Sequence, residues 1–262
     1  MNSLLLSILA IQLAIFIVAP GRKGTENYSN LKLSIFLRHG LTVFGLLLLF
    51  LHGYQWLTLI GYALLLTLIH LVIVFQVGLL NRIKNRSLNL AVFIFEHLLQ
   101  LVTIYIIWSW FDLQANPSVL RFYESIIPIK AFPSLGGLAN QGVKPSLERF
   151  LLGAVFYIFI CFGGSYLIEK FLFWLRNEEE VIEEKTDSAG KWIGILERII
   201  VLTLMLNNAL DSVAFILTAK SIARFNELRN KNFAEYYLIG TLASITLAIC
   251  GGFLLKYLLT NI

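Results

Sequence analysis

What most limits this chain is a series of apolar runs, each near the length that crosses a bilayer and most interrupted by a few polar groups. A spanning helix needs about 20 mostly apolar residues. Runs of that kind fall at 3–19, 32–53, 56–80, 88–110, 148–175, 192–219 and 235–259. Their length and number predict an all-α, polytopic transmembrane helical bundle of about seven spans. Composition agrees. The chain is 58% hydrophobic and 14% charged, where a soluble domain has about 45–50% and about 25%.

With spans this closely spaced, residues 1–262 are expected to form a single integral membrane domain. The first run resembles a signal peptide but lacks a basic n-region and a small-residue cleavage site, so a retained helix is expected. A long connection over about 112–147 holds four of the five prolines, Pro117, Pro128, Pro133 and Pro145. Within it Val119 to Ile127 could lie as a short helix on the membrane surface. Trp108, Trp110 and Phe111 look like an interfacial aromatic anchor. The segment at about 176–190 is an acidic polar loop, RNEEEVIEEKTDSAG. Arg22 and Lys23 follow the first run, and Arg82, Lys84 and Arg86 follow the third. The positive-inside rule then puts the N-terminus outside and, with seven spans, the C-terminus inside a bacterial inner membrane. Lys220, Arg224, Arg229 and Lys231 conflict with that scheme. A break at Asn207-Asn208 would remove the conflict, but no Gly or Pro stands there, so one continuous helix over 192–219 is expected. The net charge of +5 reads as loop lysines and arginines. No basic patch with interleaved aromatics is present, which excludes a nucleic-acid partner. Cys161 and Cys250 lie in apolar runs and read as buried thiols.

Ionisable groups at bilayer depth cost roughly 2.5–3.5 kcal/mol each on insertion scales, so they persist where they face a bundle interior and find partners. Two sets stand out. Arg38, His39, His70, Glu96 and His97 lie on the second to fourth runs. They could pair as interhelical glue, relay protons or act as acid and base, or hold a metal, with His39, His70, Glu96 and His97 as the ligand candidates. No tight His-Glu-x-x-His spacing supports the metal. Glu197, Asn207, Asn208 and Asp211 lie on the sixth run. Glu197 and Asn208 are close to three turns apart and Asn208 and Asp211 are at i,i+3, so one polar stripe is expected. It would serve either as helix–helix bonding or as an ion or substrate path. Lys220 and Arg224, one turn apart, read as a snorkelling helix end or a phosphate or headgroup contact. Gly163-Gly164, and Gly251-Gly252 with Ala248, allow close helix packing.

A family resemblance enters on Gly194, Leu196, Glu197 and Arg198, then Ala219-Lys220-Ser221-Ile222-Ala223-Arg224-Phe225, Phe233-Ala234-Glu235-Tyr236 and Leu238-Ile239-Gly240-Thr241. Over about the last quarter of the chain, these resemble the C-terminal signature of the bacterial polytopic membrane family known as domain of unknown function 3307. The family's N-terminal part is rich in membrane-embedded His and Asp, with patterns such as His-Leu-Leu-x-Asp. Here His39 fits, and His70-Leu71-Val72 begins such a pattern, but Val74 stands in place of the Asp. Glu96 stands where an acid is expected, with His97 and Gln100 in exchanged order. The resemblance implies a His- and Asp-depleted member of a family without an established activity.

Three functions remain open on these grounds. The chain could be a non-catalytic membrane subunit or interaction module with a membrane or cytoplasmic protein partner. It could be a small transporter or channel. It could be a degenerate membrane-embedded, metal-dependent hydrolase. No cofactor is expected, a divalent metal being the one exception the histidines allow.

Overall fold

The computed structural model describes residues 2–17, 33–80, 86–114, 116–117, 121, 125, 146–175 and 188–261. Among them every regular element is a helix. The segments 18–32, 81–85 and 176–187, and nearly all of the surface helix expected over 119–127, lie outside the described residues. Residues 188–190, expected to close the acidic loop, begin a helix instead. The chain forms two compact units, Met1–Pro128 and Ile129–Ile262.

In the first unit α1 (Asn2–Ile17), α2 (Leu33–Phe50), α3 (Trp56–Leu80) and α4 (Arg86–Trp110) alternate in direction. Cross-helix bonds fix that order. The Trp108 indole N–H donates to Ser3 Oγ at 2.9 Å, and the Tyr62 hydroxyl donates to Ser7 Oγ at 2.8 Å. Further along, the Phe16 ring stacks on His97 at 5.9 Å. On α3 the buried residues Leu59, Tyr62, Leu66, His70, Ile73 and Val77 recur at three- and four-residue steps. The opposite face shows Leu57, Ile60, Leu64, Leu68, Val72, Phe75 and Leu79. Leu57 is 87% exposed while His70 is 1% exposed. A helix in water would carry polar side chains on its exposed face in place of such a row. Ser3, Ser7, Gln12, His39, Thr67, Glu96, His97 and Gln100 are likewise buried, so the unit encloses polar groups within its apolar core and still exposes an apolar surface.

The second unit contains α5 (Leu147–Leu175), α6 (Ser188–Leu206), α7 (Val213–Ala223) and α8 (Lys231–Asn261). Ser146 caps α5 by accepting the Arg149 N–H at 3.3 Å, and Asn230 caps α8 by accepting the Phe233 N–H at 3.2 Å. A π-helical turn, Phe159–Gly163, interrupts α5. The expected close packing at the glycines is present. A Cβ on Gly251 would lie 2.5 Å from Ile160, and one on Gly252 would lie 2.9 Å from Met205. Ala248 between α8 and its neighbours is fully buried.

The continuous helix expected over 192–219 is not found. Helix α6 stops at Leu206. Asn208 adopts φ 58°, its N–H bonds the Met205 carbonyl at 3.1 Å, and the Ala209 N–H bonds the Leu204 carbonyl at 2.9 Å. These are the two bonds of a Schellman termination with Asn208 in the left-handed position. The left-handed region costs an L-residue roughly 1–2 kcal/mol, and Asn tolerates it better than most because its short polar side chain bonds locally. Here the Asn208 amide oxygen accepts from Lys256 Nζ at 2.5 Å. A 3₁₀ turn, Leu210–Ser212, then starts α7. Because Lys220 on α7 meets Glu197 on α6, α7 runs back along α6 as a hairpin.

Four helices, Trp56–Leu80, Leu88–Trp110, Leu147–Leu175 and Phe233–Asn261, are long and apolar enough to cross a membrane. Asn2–Phe16 and Phe36–Phe50 are apolar but shorter. Helix α6 carries Lys191, Glu197 and Arg198, and α7 is only 11 residues long.

Candidate functional site

The polar residues singled out in the first half converge in part. Helix α2 delivers His39 and α3 delivers His70 to a common point, their Nε2 atoms 2.9 Å apart and their rings tilted at 46°. Gln100 of α4 completes the chain, its side-chain amide nitrogen hydrogen-bonding His70 Nδ1. His39, His70 and Gln100 are all more than nine-tenths buried. Alternation of the helices explains the meeting. His39 lies within the second turn of α2 as resolved and His70 within the last three turns of α3, so antiparallel neighbours bring them level. Glu96, 4% exposed, lies one turn before Gln100 on the same face of α4.

His97 plays a separate part. Its Nδ1–H donates to the Phe93 carbonyl at 2.8 Å, and its ring sits between Phe16 and Phe93 at 5.9 and 4.3 Å. That geometry is a core histidine bonded within its own helix. Arg38 is exposed, unlike its neighbour His39, and its carbonyl accepts the Thr42 hydroxyl at 2.9 Å. Among the described residues no three His, Cys, Asp or Glu side chains gather as a metal would require.

In the second unit the expected stripe from Glu197 to Asp211 divides at the helix break. Glu197 faces α7 and forms a 2.6 Å ion pair with Lys220, both side chains mostly covered. Lys220 also lies 5.4 Å from the Tyr237 ring centroid. The Asn207 side chain bonds back to the Thr203 carbonyl at 2.8 Å, Asn208 meets Lys256, and Asp211 is exposed in the 3₁₀ turn. Lys220 is thus engaged inside the unit. Arg224 bonds Glu227 at 3.4 Å and lies 5.9 Å from the Phe233 and Tyr237 rings.

Arg198 is the group whose weight sequence reasoning missed. It is 3% exposed. Its Nε and Nη2 donate to the Cys161 carbonyl at 3.2 and 2.7 Å, its Nη2 also to Ser165 Oγ, and its Nη1 to Ser244 Oγ at 2.9 Å. The π-turn explains the first pair. Wider winding takes α5 out of its regular bonding register, as the Gly164 N–H to Phe159 carbonyl bond shows, and Cys161 lies within that turn. Gly164 leaves room for the guanidinium, since a Cβ there would lie 3.4 Å from Arg198 Nε. One planar fork therefore ties α6 to α5 and α8. The only signals in the sequence were the adjacent glycines and an arginine in an apolar run. Lys256, the partner of Asn208, was also missed.

No protein-family model matches the chain, and neither a curated protein nor a solved structure matches it.

Proposed function

We propose that the chain is a multi-pass inner-membrane protein acting as a non-catalytic membrane subunit or interaction module. The observation that carries this reading is where the charges of the second unit go. Arg198, Glu197 with Lys220, and Lys256 with Asn208 each make bonds inside the unit, while apolar side chains such as Trp192, Leu196, Phe215, Leu238, Leu242 and Phe253 point outward. Such an arrangement supports a rigid body with apolar faces for lipid and a partner helix. The C-terminal resemblance to domain of unknown function 3307 belongs to this reading. In the same reading α1 to α8 all pass through the bilayer, α7 as a short return limb, which extends the expected seven spans by one.

Orientation is proposed for each unit from its own charges. In the first, the connections after α1 and α3 leave from one end and carry Arg22, Lys23, Arg82 and Lys84. In the second, the α6–α7 hairpin returns Lys220, Arg224, Arg229 and Lys231 to the end where α6 begins. Both basic ends are assigned to the cytoplasm. The N-terminus is outside as expected from sequence, and the extra return moves the C-terminus outside. Arg224 and Arg229 then reach the cytoplasmic headgroups.

The test is extraction in native lipid with a scaffold polymer, followed by crosslinking and mass determination. A single partner at fixed stoichiometry is expected. A chain that is alone in the membrane refutes the subunit reading. A transporter is the second reading, favoured by the interrupted α6–α7 pair, because broken helices line substrate sites in many transporters. It requires uptake or current in proteoliposomes that Asp211→Asn abolishes.

A further inference from the structure

We propose that His39, His70 and Gln100 form a binding site for one proton inside the first unit. The facing Nε2 atoms, 2.9 Å apart, can bond only if one carries a hydrogen and the other offers its lone pair. When the Gln100 amide nitrogen donates to His70 Nδ1, His70 carries its hydrogen on Nε2 and donates it to His39. Both rings are then neutral. Turning the Gln100 amide over presents Oε1 to the same Nδ1. His70 can then hold hydrogens on both nitrogens as an imidazolium, donating one to Gln100 Oε1 and the other to His39. One proton enters from water, one N–H bond forms on His70 Nδ1, the amide N–H to Nδ1 hydrogen bond is exchanged for one from Nδ1–H to Oε1, and no other covalent bond changes. The His39–His70 and His70–Gln100 contacts thus persist in both charge states. Leucine at position 100 could bond in neither arrangement, and a carboxylate could only accept from His70 Nδ1–H, whereas the amide can either donate or accept there.

A second observation points the same way. Gln100 Oε1 is buried and takes no hydrogen bond from any described residue, although Gln100 is only 4% exposed. That oxygen is the acceptor the protonated form uses. The surrounding titratable groups are few. Helix α1 contributes none, α2 contributes Arg38, α3 contributes Tyr62, and α4 contributes Arg86, Glu96, His97 and Tyr105. Glu96, buried one turn from Gln100, stands nearest in the sequence of α4 to balance the added charge. A metal ion on this pair would first have to break the imidazole–imidazole bond, so a proton suits the geometry better.

The inference does not depend on a partner being found. The experiment uses the full chain in lipid nanodiscs with ¹⁵N-labelled histidine, followed by magnetic resonance from about pH 4 to pH 9. That window brackets the ordinary imidazole range. The expected result is one joint step of the His39 and His70 ring nitrogens, with one proton taken up for the pair. His70→Gln should abolish the step. Gln100→Leu should move its midpoint by about one pH unit, the scale of one charge-assisted hydrogen bond. Helix content measured alongside separates lost binding from lost fold, and His39→Gln serves if Gln100→Leu does not fold. Two independent single-ring titrations, no titration in the window, or a stoichiometric divalent metal in the purified protein would each overturn the assignment.

Discussion

Replacing Arg198 by lysine isolates what the guanidinium fork contributes. The charge stays, so the cost of placing a cation at depth stays. The fork is lost. Arg198 now reaches the Cys161 carbonyl and Ser165 on α5 and Ser244 on α8, whereas one ammonium cannot span both helices. About two of the four bonds should go. Interhelical side-chain bonds in a membrane protein average about 0.6 kcal/mol, with a maximum near 1.7 kcal/mol. Arg198→Lys should therefore destabilise the fold by roughly 1–3 kcal/mol on that scale. Arg198→Met loses every bond but also removes a charge whose insertion costs roughly 2.5–3.5 kcal/mol, so it should be no less stable than the lysine variant. Reversible unfolding in mixed micelles, followed by helix content and by steric trapping of labels on α5 and α8, measures both. A lysine variant within about 0.5 kcal/mol of the parent, well below the bond loss expected, would refute the bracing role.

Three further outcomes follow from the same geometry. Asn208→Leu should destabilise by about 1–2 kcal/mol, the cost of the left-handed position, whereas Asn208→Gly should change stability by less; if leucine stabilises, α6 and α7 are one helix. A double-mutant cycle on Glu197→Gln and Lys220→Met should give a coupling of about 1–2 kcal/mol, within the range for contacting pairs, and additive effects would remove the hairpin clasp. Single cysteines at Asn226 and Asp211, in a chain with Cys161 and Cys250 replaced by alanine, should react with an impermeant reagent from opposite sides of the membrane. Labelling from one side would undo the proposed orientation.

Much of this was legible in the sequence because polar groups in apolar runs have few places to go. His39 and His70 were identifiable as interior groups from that principle, and the fold brings them to hydrogen-bond distance. Their third partner was harder to see. In the sequence Gln100 stands one turn after Glu96, and nothing local says that an amide rather than a carboxylate will meet the imidazole. The break at Asn207-Asn208 was legible only in retrospect. Asparagine substitutes for glycine in the left-handed position, and the absence of Gly and Pro argued too strongly for continuity. Glu197 and Lys220 held a better clue. Two opposite charges 23 residues apart in one apolar region can pair if the chain doubles back. The Arg198 contact with the Cys161 carbonyl had no such signal, because the π-turn it answers depends on how α5 packs.

The Glu197–Lys220 clasp also bears on how the polypeptide enters the membrane during synthesis. Helix α7 has 11 residues, far short of the about 20 needed to partition alone, and it carries a lysine. The translocation machinery, sampling it as an isolated segment, has little reason to release it into lipid. Once α6 is held at the exit, its glutamate can neutralise that lysine, and both limbs can leave the channel together as a hairpin. On the proposed hairpin topology, biogenesis of this region would be cooperative. Removing Glu197 would first appear as mis-insertion of the segment after it, before any defect in the finished protein.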